Sequence, residues 1–167
     1  MNLYVLRHAI ATDRGTTGNE IDSERRLTKE GEKKMRRIAR GMQSLGLSFD
    51  LVLSSPFVRA RQTAEIVAET FGIEEKLTLT PHLETGGDPR RLVAEIASRY
   101  EGLDSVLLVG HEPYLSGLIS VLLGGDERLA IVLKKGGLCQ LQIEKLVYGR
   151  CADLEFLLTP RQLQQIR

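Results

Sequence analysis

Short runs of apolar, β-type residues alternate along the chain with longer segments whose apolar residues recur at helical spacing. The strand-like runs are residues 3–6, 51–55, 76–80 and 105–110, and the helical segments are residues 27–46, 56–72, 88–100 and 111–125. In each helical segment the apolar positions lie three or four residues apart, which collects them on one face. Strands that alternate with helices in this way predict parallel strands joined by helical crossovers.

Start and stop signals define the helices further. Thr28 can cap the first helix and Gly46 can end it, while Ser55 and Pro56 are predicted as cap and first residue of the second. Asp88 is the predicted cap of the third helix. The predicted buried faces are Met35, Ile38, Ala39, Met42 and Leu45; Ala60, Ala64, Val67 and Phe71; Leu92, Val93, Ile96, Ala97 and Tyr100; and Leu115, Leu118, Ile119 and Leu122.

Residues 105–110 form the most continuous apolar run, which predicts a strand that is buried on both faces near the centre of the sheet. Residues 138–159 instead alternate on either side of Tyr148 and Gly149, as in a β-hairpin. We therefore expect an α/β fold: a three-layer α/β/α sandwich with a mostly parallel central sheet and an antiparallel C-terminal hairpin. Residues 159–167 have the pattern of a short amphipathic helix that covers an edge.

Composition limits the possible classes of protein. A chain of 167 residues with 42% hydrophobic and 27% charged residues suits one globular domain, residues 1–167. The net charge of +1 gives no reason to expect nucleic acid or an acidic membrane as partner. No apolar run approaches the length of a membrane span, and Arg7 interrupts the region where a signal peptide would be apolar, so we expect a cytoplasmic protein.

The two cysteines, Cys139 and Cys151, lie in apolar segments without CxxC or CxxH spacing, which favours small core residues over a disulfide or a metal site. A metal hydrolase built from His8, His82 and His111 is a weak alternative, because no acidic ligands accompany these histidines at useful spacing. We expect no metal and no cofactor, and His82 is interpreted as structural.

Arginine and histidine residues follow three of the predicted strands. Arg7 and His8 follow the first strand, Arg59 lies shortly after the second, and His111 follows the run at residues 105–110. Ligands of open α/β sheets bind at the carboxyl ends of the strands, so these side chains can lie close together at one ligand-binding edge of the sheet. Guanidinium groups and helix N-termini favour phosphate, which predicts a phosphoryl site.

The two histidines can take different parts in phosphoryl transfer. A neutral imidazole with one nitrogen fixed by a hydrogen bond can act as a nucleophile, and a second, protonated imidazole can stabilise charge on the phosphoryl oxygens. Taken singly, a histidine after a strand is usually a turn residue, and Arg59 is usually a solvated helix residue. Only their combination favours a catalytic site.

Three ordered segments, LRHA at residues 6–9, SSPFVRARQTA at 54–64 and VGHEP at 109–113, closely resemble the histidine phosphatase superfamily. They are most similar to its small SixA-type phosphohistidine phosphatases, which have the phosphoglycerate mutase-like fold. The similarity extends over RRLTKEG at residues 25–31 and LETGGDP at 83–89. It implies that His8 becomes phosphorylated, that Arg7 and Arg59 bind the phosphoryl oxygens, that His111 completes the pocket, and that Arg25 lines its entrance.

The chain departs from the superfamily pattern at two places. Ala9 stands where the superfamily has glycine, so the turn after His8 must accept a Cβ atom. The relatives that act on phosphate esters also use an acidic proton donor, for which Glu84 and Asp88 are the nearby candidates, and Asp88 is better explained as a helix cap.

A site without a committed acid suits phosphohistidine, because transfer between two imidazoles exchanges similar leaving groups. The expected function is therefore a phosphohistidine phosphatase that acts as a monomer on a phosphohistidine-bearing protein, such as a histidine phosphotransfer domain. One alternative is a phosphomonoesterase that uses Glu84 as acid on sugar phosphates or nucleotides. Another is a module that binds phosphohistidine proteins without hydrolysing them.

Overall fold

One mixed β-sheet organises the chain. The computed structural model describes residues 1–13, 15 and 21–166, and within them six strands pair in the order β3-β2-β4-β1-β5-β6. The strands are β1 (Asn2–Arg7), β2 (Leu51–Ser54), β3 (Leu77–Leu79), β4 (Ser105–Gly110), β5 (Leu138–Ile143) and β6 (Ala152–Leu158). The first four strands of this order run parallel, whereas β5 is antiparallel to both β1 and β6. The predicted mixed sheet is confirmed, with β4 fully buried between β2 and β1.

Helices cover both faces of the sheet. They are α1 (Lys29–Ser44), α2 (Val58–Phe71), α3 (Pro89–Arg99), α4 (Tyr114–Gly124) and α5 (Pro160–Leu163). Most buried apolar residues of α1 and α2 belong to one cluster and most of those of α3 and α4 to another, and β4 contributes alternate residues to each. This arrangement is the predicted three-layer sandwich. The short helix α5 packs on α1, where the Leu163 carbonyl occupies the space beside Gly41.

Two of the predicted helix caps are confirmed. The Thr28 hydroxyl accepts a hydrogen bond from Gly31 N at the start of α1, and the Asp88 carboxylate accepts one from Arg90 N at the start of α3. Each bond satisfies an amide that has no partner within its helix. The chain leaves α1 through Gly46, whose φ of 73° lies in the left-handed region.

The predicted start of α2 is wrong. The helix begins at Val58 rather than at Pro56, its cap position is Phe57, and Ser55 does not cap it. The Ser55 hydroxyl contacts His111 instead. Helix α4 likewise begins at Tyr114, so His111 lies in the turn between β4 and α4 rather than in the helix.

The predicted buried faces are wrong at two positions. Leu45 follows the last residue of α1 and is 39% exposed, because the chain has already turned away from the core. Ala97 is exposed because it lies at the margin of the stripe that Leu92, Val93 and Ile96 define.

The C-terminal hairpin is confirmed, but its connection is longer than the tight turn predicted at Tyr148 and Gly149, which lie within the linking residues 144–151. Cys139 on β5 is a fully buried core residue, as expected, whereas Cys151 is half-buried and only flanks the core. Within the described chain, no helix is both long and apolar enough to span a membrane.

Candidate active site

The ends of three neighbouring parallel strands bring the two predicted site histidines together. The amide of His8, directly after β1, donates to Gly110 O of β4 (3.0 Å), and the amide of Ser55, directly after β2, donates to Val109 O (3.0 Å). These bonds extend the sheet pairing by one residue beyond β1 and β2. The rings of His8 and His111 consequently lie at one edge of the sheet, with their centroids 5.2 Å apart.

His8 is held as a neutral imidazole of defined orientation. Its Nδ1 lies 2.7 Å from the carbonyl oxygen of Ala9, which can only accept, so Nδ1 carries the hydrogen. Its Nε2 then has a lone pair, to which Arg59 Nε donates (3.3 Å). Burial is the main cause that lowers the pKa of His8 to about 3, and the nearby charges of Arg59 and Arg7 lower it further. The ring is therefore uncharged at neutral pH, with Nε2 able to attack an electrophile.

The turn after His8 accepts Ala9 without backbone strain. No non-glycine residue in the described part of the chain has a positive φ, so the predicted tolerance for a Cβ atom at this turn is confirmed. The Ala9 amide donates to Thr63 Oγ1 (3.0 Å), and that hydroxyl donates to Arg59 O (2.7 Å). The buried Thr63 hydroxyl thus connects the turn after His8 to the first turn of α2 through two hydrogen bonds.

Arg59 is almost fully buried, at 3% exposure, and its guanidinium is held by Asp22. Nη1 donates to the Asp22 carbonyl (2.6 Å) and Nη2 to its carboxylate (3.0 Å), while Nε faces His8. The other carboxylate oxygen of Asp22 accepts from Arg25 Nη1 (2.9 Å). Arg25, predicted at the entrance of the pocket, therefore reaches Arg59 through a shared carboxylate.

Arg7, at the end of β1, donates from Nη1 to the carbonyl of Leu133 (3.0 Å). Its Nε is buried and has no hydrogen-bond partner within the described residues. Buried donors are nearly always satisfied in folded proteins, so this group is suited to an acceptor that a ligand brings.

His111 is 1% exposed and lies against the ring of Phe57, with centroids 5.1 Å apart. Burial above all, followed by the charge of Arg59, lowers its pKa to about 3. In the free protein, desolvation and the surrounding arginines therefore favour the neutral ring. The expected protonated imidazole concerns the ring beside a transferring phosphoryl group, and it stays a prediction.

The remaining two candidates are His82 and Glu84. His82 lies in the 3-10 turn Pro81–Leu83 after β3, and Glu84 directly follows that turn. The Leu83 carbonyl packs against Gly110, which places the neighbouring Glu84 near the same edge of the sheet. Within the described chain, the Glu84 side chain makes no hydrogen bond or ion pair. Among the described residues, no three histidine, cysteine or acidic side chains are grouped so that they could hold a metal ion.

Three residues of the site were not predicted from the sequence: Ser55, Thr63 and Asp22. Thr63 lies one helical turn after Arg59, and Asp22 lies three residues before Arg25, so both spacings carried a signal that could have been used. Ser55 was predicted to be a helix cap. These residues position the arginines and histidines, which together can surround a tetrahedral oxyanion beside a nucleophilic nitrogen.

Comparisons with known proteins agree with this geometry. The family described as "Histidine phosphatase superfamily (branch 1)" matches residues 3–84. A protein of Picosynechococcus sp. strain PCC 7002 whose function is uncharacterised is 35% identical over 147 residues, which is 85% of each chain. The phosphohistidine phosphatase SixA of Escherichia coli K12 is 31% identical over 127 residues, 75% of this chain and 76% of SixA.

Among solved structures, the protein histidine phosphatase SixA complexed with tungstate superimposes with a TM-score of 0.84 at 25% identity. The superposition covers 98% of this chain and 99% of that one, so the similarity extends over almost the whole fold. The chain belongs to the histidine phosphatase superfamily, among its SixA-type members.

Proposed function

We propose that this protein is a phosphohistidine phosphatase that acts on phosphorylated histidine of proteins, with His8 as the nucleophile. The observation that carries the proposal is the fixed His8 ring, whose Nε2 lone pair lies beside the Arg59 guanidinium. The names of the related proteins support the substrate class, since the similar sequence is named phosphohistidine phosphatase SixA and the similar structure protein histidine phosphatase SixA.

The reaction proceeds by two displacements at phosphorus. In the first, Nε2 of His8 forms a bond to phosphorus while the bond to the substrate imidazole breaks, and that imidazole leaves with the electron pair and takes up a proton from water. In the second, water attacks phosphorus, the His8–phosphorus bond breaks, and phosphate departs with neutral His8 restored. Arg7, Arg59 and His111 bind the phosphoryl oxygens throughout, because their charge and donors stabilise the transition state.

The acidic side chains support a nitrogen leaving group. Asp22 is engaged by two arginines, so it serves as their counter-charge rather than as a proton donor. Glu84 lies nearby without a bond that would orient it. An alkoxide leaving group needs a positioned acid, whereas an imidazole does not.

We further propose that residues 1–167 work as one cytoplasmic domain and as a monomer without a cofactor. The single sheet supports the domain assignment, because it draws its strands from both halves of the chain. The substrate is a phosphohistidine-bearing protein of the histidine phosphotransfer type.

Phosphate release from a phosphorylated histidine phosphotransfer domain, compared with release from a panel of small phosphate esters, tests this function. The wild-type protein should dephosphorylate the domain faster, and His8→Ala should abolish turnover while the fold persists by circular dichroism. His82→Ala is the matched control and should retain full activity, because within the described residues His82 shares no ring contact or side-chain hydrogen bond with His8 or His111.

Preference for a small ester, with a bell-shaped pH profile that is lost in Glu84→Gln, would instead assign the protein to the phosphomonoesterases. Tight binding of the phosphorylated domain with no release of phosphate would make it a binding module. Full activity of His8→Ala would remove the nucleophile assignment.

A further inference from the structure

The two nitrogens of the His111 ring have different surroundings. Nε2 lies 2.9 Å from the hydroxyl oxygen of Ser55. Nδ1 is buried and makes no hydrogen bond within the described residues. Both side chains are shielded from water, with Ser55 at 0% and His111 at 1% exposure, so solvent does not compete for the hydrogen bond that joins them.

The second contact of the Ser55 hydroxyl decides which way this bond runs. The amide of Phe57 donates to Ser55 Oγ (3.3 Å), which leaves the hydroxyl hydrogen in need of an acceptor. Nε2 of His111 supplies that acceptor if it carries no hydrogen. In the opposite tautomer Nε2 donates to Ser55, and the hydroxyl hydrogen then has no acceptor in the described part of the chain. With the hydrogen on Nδ1, only that hydrogen lacks a partner among the described residues, whereas in the opposite tautomer both the Ser55 hydroxyl hydrogen and the Nδ1 lone pair lack one. The first arrangement leaves fewer buried polar groups unpaired and is therefore favoured.

We propose that Ser55 is a positioning residue that fixes neutral His111 in the tautomer with its hydrogen on Nδ1. The neutral ring can offer a hydrogen bond to a phosphoryl oxygen only from the nitrogen that carries the hydrogen. Ser55 therefore converts His111 into a donor without requiring it to be charged. Phe57 supports the same orientation, since its ring packs against the imidazole and its amide fixes the Ser55 hydroxyl.

The chemistry of the pocket makes this arrangement useful. Arg7 and Arg59 already supply fixed positive charge, and a cationic imidazole among them would be costly to bury. A neutral donor adds directionality at a much smaller electrostatic cost. The role resembles that of a hydrogen-bonded partner that sets the tautomer of a histidine in other enzyme sites.

The tautomer can be measured by nitrogen-15 NMR on the full chain with labelled histidine. The sequence has three histidines, so His82→Ala and His111→Asn suffice to assign the His111 signals. Near neutral pH we expect Nδ1 of His111 to show the shift of a protonated nitrogen and Nε2 that of an unprotonated one. Orthovanadate should then perturb the Nδ1 signal. A hydrogen on Nε2, or a doubly protonated ring, would overturn the proposal.

Ser55→Ala should convert His111 to a mixture of tautomers and lower kcat by about 10- to 100-fold, as expected for one lost hydrogen bond at a charged transition state. Ser54→Ala is the matched control, because the equally buried Ser54 hydroxyl donates to the Ser55 carbonyl and not to His111. An unchanged His111 tautomer in Ser55→Ala would also contradict the role assigned to Ser55.

Only the kinetic part of this experiment rests on the proposed function. The NMR spectra and vanadate titration report on the ring itself, so they remain valid if the physiological substrate is a phosphate ester. Failure of phosphohistidine hydrolysis with the predicted tautomer intact would reject the substrate and keep the role of Ser55.

Discussion

Asp22 holds Arg59 at two points, with its main-chain carbonyl on one terminal nitrogen of the guanidinium and its carboxylate on the other. This leaves the Nε edge of Arg59 directed at His8. Asp22 thus orients the arginine that faces His8, the proposed nucleophile, and it balances part of the positive charge that Arg25 and Arg59 bring to the pocket.

Asp22→Ala should distinguish two effects of Asp22, its orientation of the Arg59 guanidinium and its negative charge in the pocket. We expect kcat to fall by about 10- to 100-fold, because Arg59 loses a charge-assisted hydrogen bond. Inorganic phosphate should inhibit more strongly, since the pocket loses a negative charge. Steady-state kinetics with phosphate as inhibitor measure both effects. Glu69→Ala removes an exposed ion pair with Arg36 of the same 3.0 Å length and should change neither value; equal effects of the two variants would contradict the role of Asp22.

Thr63 provides a second test, because its buried hydroxyl serves both the Ala9 amide and the Arg59 carbonyl. Thr63→Val keeps the shape but leaves the Ala9 amide unsatisfied, so we expect a loss of about 1–3 kcal/mol in the free energy of unfolding. Formation of the phosphorylated enzyme should slow in parallel. Thr63→Ser retains the hydroxyl and should largely restore both properties, as measured by urea unfolding and rapid quench; a Val variant equal to wild type would rule out this link.

The lowered pKa values of His8 and His111 predict how stability depends on pH. Both values are about 3 in the folded protein, against about 6.5 in an unfolded chain, so the unfolded chain binds more protons between these limits. The free energy of unfolding should therefore fall as the pH falls through this window, by up to about 1.4 kcal/mol per pH unit for each histidine.

Urea unfolding between about pH 7 and pH 4 measures that slope. The double variant His8→Asn/His111→Asn should have a flatter dependence than the wild type, because it lacks both buried imidazoles. His82→Asn should keep the wild-type slope, since His82 is not part of the buried pair. Identical slopes in all three proteins would show that the site histidines titrate normally.

Gly31 and Gly41 of α1 both lie against the backbone of another segment. Substitution of each by alanine should distinguish an effect on stability from an effect on activity. A Cβ atom at Gly31 would overlap the Ile10 carbonyl, just after the His8 turn. One at Gly41 would overlap the carbonyl of Leu163, near the C-terminal end of the described chain. Both Gly→Ala variants should lose about 1–3 kcal/mol of stability by overpacking. At a temperature where both are folded, only Gly31→Ala should lower kcat. Equal activity of the two folded variants would show that the Ile10 segment does not position His8.

The strands and the layer order were predictable because continuous or periodic apolar runs depend on burial alone, as residues 105–110 show. The convergence of His8, Arg59 and His111 was also predictable, since the carboxyl ends of parallel strands share one edge. The role of Ser55 was not. Serine followed by proline is typical of a helix start, and only the tertiary contact with His111 shows that the hydroxyl is used elsewhere.

Asp22 was missed for a related reason. It lies in the short 3-10 turn Asp22–Glu24, which has no buried residue and hence no apolar periodicity to mark it. The charge state of His111 also depends on burial among three arginines from distant parts of the sequence, which no local pattern contains. The predicted burial of Leu45 was wrong because the apolar periodicity of the sequence continues for a residue or two beyond the last hydrogen-bonded turn of the helix.

The position of β1 has a consequence for biosynthesis. The strand that presents His8 leaves the ribosome before both of its neighbours, β4 and β5, which follow more than a hundred residues later in the chain. Until then its backbone amides and carbonyls have no sheet partners, and the imidazole has no fixed surroundings. A nascent or truncated chain that ends before residue 105 can carry His8 and Arg59 and still be inert. The edge of the sheet that brings His8 and His111 together thus forms only after β4 and β5 have been synthesised and have paired with β1.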